Sequence, residues 1–257
     1  MRKPLIFTPI TRIPLVEPGD RLGEIIWNAI IDNHIHIESG DILIITQKIV
    51  SKAEGRLINL ASVEPSSKAI EVGAITNKDP RLIELILSES REILRAVKGN
   101  IIVEHKLGFV CANAGIDHSN VEGKDKEKEN WYLLLPQNPD KSARTIKKAI
   151  EKRAGCEIGV LIIDSHGRAW RNGIVGTTIG VAGVPALVDL RGKEDIFGYK
   201  LRITQVAAVD ELAASASLIM GQADEQIPVV HVRGFPYKLR SSSSKELIRK
   251  REKDLFR

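Results

Sequence analysis

Cysteine is scarce: the 257 residues hold two, Cys111 and Cys156, far apart and without CxxC spacing. That excludes a disulfide framework and a thiolate zinc site. Long apolar runs are also missing. The longest, such as residues 42–45 and 160–163, are far too short to cross a bilayer. The opening MRKPLIFTPITRIPLVEPGD meets prolines and an arginine before any extended apolar core, so it does not read as a signal peptide. A cytoplasmic protein with reduced thiols and no membrane partner is expected. The usual nucleotide devices are absent too. No GxxxxGK is followed by Ser or Thr, and no GxGxxG follows a strand, which argues against a P-loop and a dinucleotide unit. No HExxH, GxSxG or Cys–His pair offers a hydrolytic nucleophile.

A hydrophobic content of 43% is ordinary for a globular chain of this length, which can bury one large core or two modest ones. The net charge of +5 is local. Residues 238–257 carry eight basic against three acidic side chains, and the rest of the chain balances. The body therefore presents no basic face, and nucleic acid is not an expected partner. Ser241 to Ser244 read as a flexible or capping joint before a short charged helix, with solvation the default for the tail.

Helical and strand patterns mix without a regular βαβ rhythm. Asp20 is placed to cap a helix running to about Ile31. His34-Ile35-His36-Ile37 alternates like an exposed strand edge, and residues 42–46 form an apolar strand. Asp79-Pro80 opens a helix predicted over residues 81–97, with apolar positions at Leu82, Leu85, Ile86, Ile93, Leu94 and Val97. Strands are expected at 101–104, 109–112, around Val160, at 201–209 and at 227–232, with helices at 142–153 and 210–220. Residues 120–130 read as a charged surface loop.

Two acidic turns stand out, VCANAGIDHSN at 110–120 and GVLIIDSHGRAWRNGIVGTTIGVAG at 159–183. Each runs an apolar strand into an aspartate beside small polar residues and glycine. A carboxylate at the end of a buried strand needs a partner. Asp117 and Asp164, with Ser119, Asn120 and Ser165, make an all-oxygen set suited to magnesium or manganese. On spacing alone, two capped turns explain them equally well. Gly173, Gly176, Gly180 and Gly183 favour close packing over a pocket wall. Gln47, Lys48 and Lys52, after the 42–46 strand, could meet a phosphate or face solvent.

Five blocks together carry a resemblance: IPLVEPGD (13–20), VSKAEGR (50–56), NAGIDHSNVE (113–122), IIDSHGRAWRNGIVGTTIGVAGV (162–184) and LIMGQADEQIPVVHVRG (218–234). The chain resembles the coenzyme F420-0:L-glutamate ligase family over most of residues 5–235. The resemblance implies an α+β fold of two lobes, with residues 1–237 as the ligase domain and 238–257 as a basic tail, assembled as an intertwined homodimer. It implies a ligase that uses GTP to add γ-linked L-glutamate to a deazaflavin cofactor precursor through an acyl phosphate, with two divalent sites (Mg2+ or Mn2+) and K+. Asp117 and Asp164 match carboxylates of the first metal. Ser165 stands where the family has threonine, and Gln222 where it has glutamate, at the second. Ile13, Pro14, Leu15, Val16, Gln47, Lys48, Lys52, Asn120, Met220, Gly221, Gln222, Ala223, Asp224, Glu225, Gln226 and Ile227 match GTP-contacting positions. His118 and His166 read as hydrogen-bonding neighbours of the aspartates, and Arg168 and Arg171 as anchors for an anionic substrate. No catalytic base is assigned. Gln222 loses a charge relative to the family, which keeps open a ligase of the same fold with another carboxylate substrate. A non-catalytic nucleotide- or metal-sensing module is the other alternative.

Overall fold

A computed structural model describes residues 4–118 and 130–255. Its centre is a five-stranded sheet built from β1 (Ile6–Ile10), β2 (Ile42–Thr46), β8 (Gly159–Arg168), β9 (Arg171–Ala182) and β12 (Val229–Arg233), in the order β1-β12-β2-β8-β9. Only β2 and β8 run parallel, and every other neighbouring pair is antiparallel. The two parallel strands are the most uniformly apolar segments of the chain because both sheet faces are covered. Leu43, Ile45, Val160 and Ile162 point into one cluster with α1 (Leu22–Asp32) and α5 (Pro139–Ala154). Ile42, Ile44, Leu161 and Ile163 point into the other, against α6 (Ala208–Met220).

Glycine sets how closely the helices approach β9. A Cβ at Gly180 would lie 2.6 Å from Pro139 at the start of α5, and one at Gly176 would collide with the Ala213 carbonyl of α6. At these two positions the glycine string serves packing.

A second layer holds the antiparallel sheet of β4 (Ser90–Val97), β5 (Asn100–His105) and β6 (Val110–Ala112). Against it pack α3 (Ser67–Thr76) and α4 (Pro80–Ser88), with Ala69, Val72, Ile83, Ile86, Ile101 and Val103 between them. Two small sheets complete the mixed α/β architecture: β3 (Leu57–Asn59) with β7 (Trp131–Leu133), and β10 (Val188–Asp189) with β11 (Gln205–Val206). No helix among the described residues is long and apolar enough to cross a membrane.

Several local expectations are corrected. The helix predicted over 81–97 stops at Ser88, and residues 90–97 form β4, recruited by antiparallel pairing with β5. Asp79 does cap α4, accepting from the Arg81 N–H at 2.8 Å. Asp20 caps no helix: its carboxylate accepts from the Glu17 N–H at 2.8 Å, and Arg21 precedes α1. Residues 34–37 pair with no strand, and His34 has φ of 54°. The strand expected at 201–209 shrinks to Gln205–Val206 because α6 already begins at Ala208.

The tail is tied to the body. The Arg240 N–H donates to the Gly183 carbonyl at 3.1 Å, and the Ser244 N–H donates to Asp140 at 3.2 Å. Leu239 and Leu247 pack against the α6 cluster, and Arg251 pairs with Glu92 at 3.0 Å. Ser243 caps a 3-10 turn, Ser244–Leu247, in place of the expected short helix.

Candidate active site

The strand order delivers separate chain segments to one edge. β2 and β8 are parallel with Thr46 opposite Ile163, so Gln47, just past the end of β2, comes beside Asp164, which stays in β8. β12 runs the other way and begins beside the end of β2: Val229 faces Ile45, and the Thr46 N–H donates to the Pro228 carbonyl at 2.9 Å. The 220–227 segment therefore arrives at this edge. β1 ends there as well, with Ile10 opposite Val229, and hands over to residues 13–16. Val16 is buried there, whereas Pro14 and Leu15 are exposed. The carboxyl ends of parallel strands are where open sheets leave a crevice for ligands.

α2 (Gln47–Ala53) starts in that crevice. Gln47 is fully buried, fixed by the Ser51 hydroxyl donating to its Oε1 at 2.8 Å. Its Nε2 and the Lys48 ammonium each donate to Oδ2 of Asp117 at 2.6 Å. Lys52, a turn further along α2, is half-buried. Asp117 is brought there from the second layer: its backbone exchanges 2.9 and 2.8 Å hydrogen bonds with Leu133 of β7. Burial raises its pKa and the charge of Asp164 raises it further, against the pull of Lys48 and Gln47. The charges of the two carboxylates thus repel one another.

Asp164 is opposite Thr177 in the β8–β9 ladder, and its Oδ2 lies 2.9 Å from His166 Nε2. His166 contacts Phe109, which stacks on His105 at 5.2 Å. Burial, then the Arg56 charge, pushes the His105 pKa down to about 4, so this ring is neutral. Ser165 donates its hydroxyl to Gln222 Oε1 at 3.1 Å. The His118 ring lies against Tyr132, with centroids 4.9 Å apart and the planes tilted by 40°. Arg168 and Arg171 face each other at the tip of the β8–β9 hairpin, away from the aspartates. Ser119 and Asn120 lie outside the described residues, as does most of the charged stretch that follows them.

The 220–227 segment folds back on itself. Gly221 has φ of 70° and ψ of −173°, and a Cβ there would overlap the Glu225 carboxylate. That carboxylate accepts from the Ala223 N–H at 2.8 Å, and backbone N–H groups of Ala223, Glu225 and Gln222 hold its pKa below the usual range. Successive amides gathered on one anion form a nest, the backbone arrangement that also receives phosphate.

Among the described residues, no three His, Cys, Asp or Glu side chains are gathered as a cation cage. Magnesium does not need one, because it is held by one or two carboxylates together with water and substrate phosphate. Asp117 and Asp164, whose charges repel, with the Ser165 hydroxyl and Gln222 amide oxygen in mutual contact, suit that mode. Asp210, Phe109 and the tail around His166 escaped the sequence reading. Asp210 carried only the signal of an acid in the first turn of a helix.

Comparison with known proteins gives consistent relatives. The chain is 45% identical over 247 residues to the coenzyme F420:L-glutamate ligase of Methanothermobacter thermautotrophicus, covering 95% of this chain and 96% of that one. It is 47% identical over 221 residues to that of Methanocaldococcus jannaschii (86% of each chain), and 42% identical over 255 residues to that of Methanopyrus kandleri (96% and 97%). The class is thereby set: an enzyme, and a ligase that forms carbon–nitrogen bonds. A non-catalytic sensing module is set aside. The sequence profile described as F420-0:Gamma-glutamyl ligase matches residues 10–234, and the chain belongs to that family.

Proposed function

We propose that this enzyme joins the amino group of L-glutamate to a carboxylate of the coenzyme F420-0 precursor, extends it through γ-linked amides, and draws on GTP through an acyl phosphate. The observation that carries the nucleotide reading is the convergence of residues 13–16, 47–48 and 220–227, from three separate elements, on one sheet edge.

Two transfers make up the reaction. The acceptor carboxylate oxygen attacks the γ-phosphorus, the bond to the β-phosphate oxygen breaks, and GDP leaves. The acceptor is its own nucleophile, so no protein base is required. The glutamate amine then attacks the activated carbonyl carbon, the amide forms, inorganic phosphate departs and a proton is released. Gln47 and Lys48 hold Asp117 in place, and Lys48 adds positive charge where phosphate charge gathers. Asp117, Asp164, Ser165 and Gln222 are the residues that would hold divalent cations, which when bound neutralise the transferring phosphoryl group. K+ is a further expected ion.

An intertwined homodimer of two-lobed ligase subunits belongs to the same reading. Its support is an apolar surface: Ile196, Phe197 and Ile203 are 91%, 89% and 88% exposed, and Trp170 at the hairpin tip is 87% exposed. Exposed apolar area of this kind marks contact surfaces. Light scattering tests it, with a monomer mass counting against it.

The function is tested by following amide formation and GDP release together in wild type, Asp117→Asn and Asp164→Asn. Both activities should fall together in both variants. Full coupled turnover in either variant would remove its aspartate from the reaction. The change from glutamate to Gln222 favours a second reading, a ligase with another carboxylate acceptor. It predicts glutamate-dependent GDP release with acceptors other than the deazaflavin precursor.

A further inference from the structure

Beside His166 lies a cavity of about 240 Å³ that neither the nucleotide edge nor the aspartate pair accounts for. Thr177 and Thr178 of β9, Asp210 of α6 and Phe109 line it. The tail closes the remainder with Leu247, Ile248 and Arg249, and Asp254 is also in the lining.

The tail wall is anchored at both ends. Arg240 pairs with Glu246 at 2.6 Å and donates to the Leu187 carbonyl at 3.1 Å. Ser244 is tied to Asp140, the carboxylate that also accepts from the Val181 N–H at 2.8 Å. Beyond the cavity, Arg251 reaches Glu92 on β4. The strap thus bridges the five-stranded sheet and the second layer, and the cavity lies beneath it. All of these tail residues lie past residue 234, where the family profile ends.

We propose that this cavity seats the incoming L-glutamate, its ammonium on Asp210 and a carboxylate on Arg249 of the tail. The inference rests on the glutamate-ligase reading and names a subsite within it. Size fits the smallest of the three substrates: about 240 Å³ is the scale of an amino acid of about ten non-hydrogen atoms. A guanosine triphosphate or a deazaflavin precursor is far larger. One carboxylate and one guanidinium, Asp210 and Arg249, complement the ammonium and a carboxylate of an amino acid and suit a polyanion less well.

Asp210 is oriented for the role, with its Oδ1 accepting from the Thr178 N–H at 2.9 Å. Burial raises its pKa, so an ammonium partner would relieve a costly charge. The position also suits the chemistry. His166 lines the cavity and touches Asp164 at 2.9 Å, so an amine seated on the Asp210 side faces the edge where the acyl phosphate forms.

Steady-state kinetics on the full-length enzyme test this, varying L-glutamate and GTP separately in wild type, Asp210→Asn and Arg249→Gln. Asn keeps an oxygen for Thr178, and Arg249 is exposed, so both variants should fold, checked by thermal melts. KM for glutamate should rise about tenfold or more in each, the loss of one charge-assisted contact. KM for GTP and kcat at saturating glutamate should stay within about threefold, a split that a general structural defect would not produce. If wild type adds glutamate while both folded variants keep its KM for glutamate, the subsite is wrong and the ligase reading stands. A wild type that adds no glutamate overturns both.

Discussion

Asp41 precedes β2 at the end of the sheet opposite the candidate site, and its side chain is only 3% exposed. Its carboxylate accepts from His231 Nε2 at 2.8 Å, from Arg233 Nε and Nη2 at 3.0 and 2.7 Å, and from the Glu38 N–H at 2.8 Å. Asp41→Ala leaves a buried histidine and a guanidinium without their common acceptor. Breaking a buried charged network by removing one partner costs about 3–5 kcal/mol. For a chain of this size each kcal/mol shifts Tm by about 2–4 °C, so a loss of roughly 6–20 °C is expected. Burial alone would raise the Asp41 pKa, but the hydrogen bonds from His231 and Arg233 override it and hold the carboxyl well below the usual range. A carboxylate with a depressed folded pKa contributes stability that is whole above its unfolded value, about 3.9, and fades as pH falls toward the folded one. The gap between wild type and Asp41→Ala should therefore be full at pH 7 and shrink below about pH 4. Urea unfolding followed by circular dichroism at stepped pH measures it. A gap under about 1 kcal/mol at pH 7, or one unchanged at pH 3, would refute the reasoning. Turnover per folded molecule should not change, since the network is remote from the site.

Asp117→Asn should cut turnover by about a hundredfold or more while raising the melting temperature at neutral pH. Burial and Asp164 raise this carboxyl's pKa, so its ionised form costs stability that a neutral isostere avoids; a lower melting temperature would contradict the electrostatics. Gly180→Val drives a side chain into Pro139 and should cost about 1–3 kcal/mol in urea unfolding; a neutral effect would mean that α5 does not lie where described. The Cys111 thiol, pushed up to about 12 by burial and by Asp164, should resist maleimide at pH 8 until the protein unfolds, while Cys156 labels first. Peptide mapping reads the order, and early labelling of Cys111 would contradict its burial.

The two central strands were legible as strands because segments buried on both faces are written as unbroken apolar runs, and ILIIT and GVLII are such runs; their parallel pairing was not. The helix over 81–97 misled for a physical reason. Leu82 to Val97 keeps a helical spacing, yet the last eight residues gain more by pairing with β5, a partner that the local pattern does not name. The aspartates were visible as polar interruptions of apolar strands. That Lys48 and Gln47 both close on Asp117, some seventy residues away, depends on the β7 bridge and the α2 entry together. Asp210 and the tail wall were beyond reach for the same reason: their shared cavity is a product of tertiary packing.

The central claim is that GTP hydrolysis and amide formation are one reaction at one sheet edge. The most direct measurement incubates the enzyme with GTP, magnesium or manganese, the deazaflavin precursor and L-glutamate, and counts GDP by chromatography against glutamate added by mass spectrometry. The account predicts one GDP for each glutamate joined, and no GDP when the precursor is withheld. Glutamate addition without GDP, or GDP release that ignores the precursor, would contradict it.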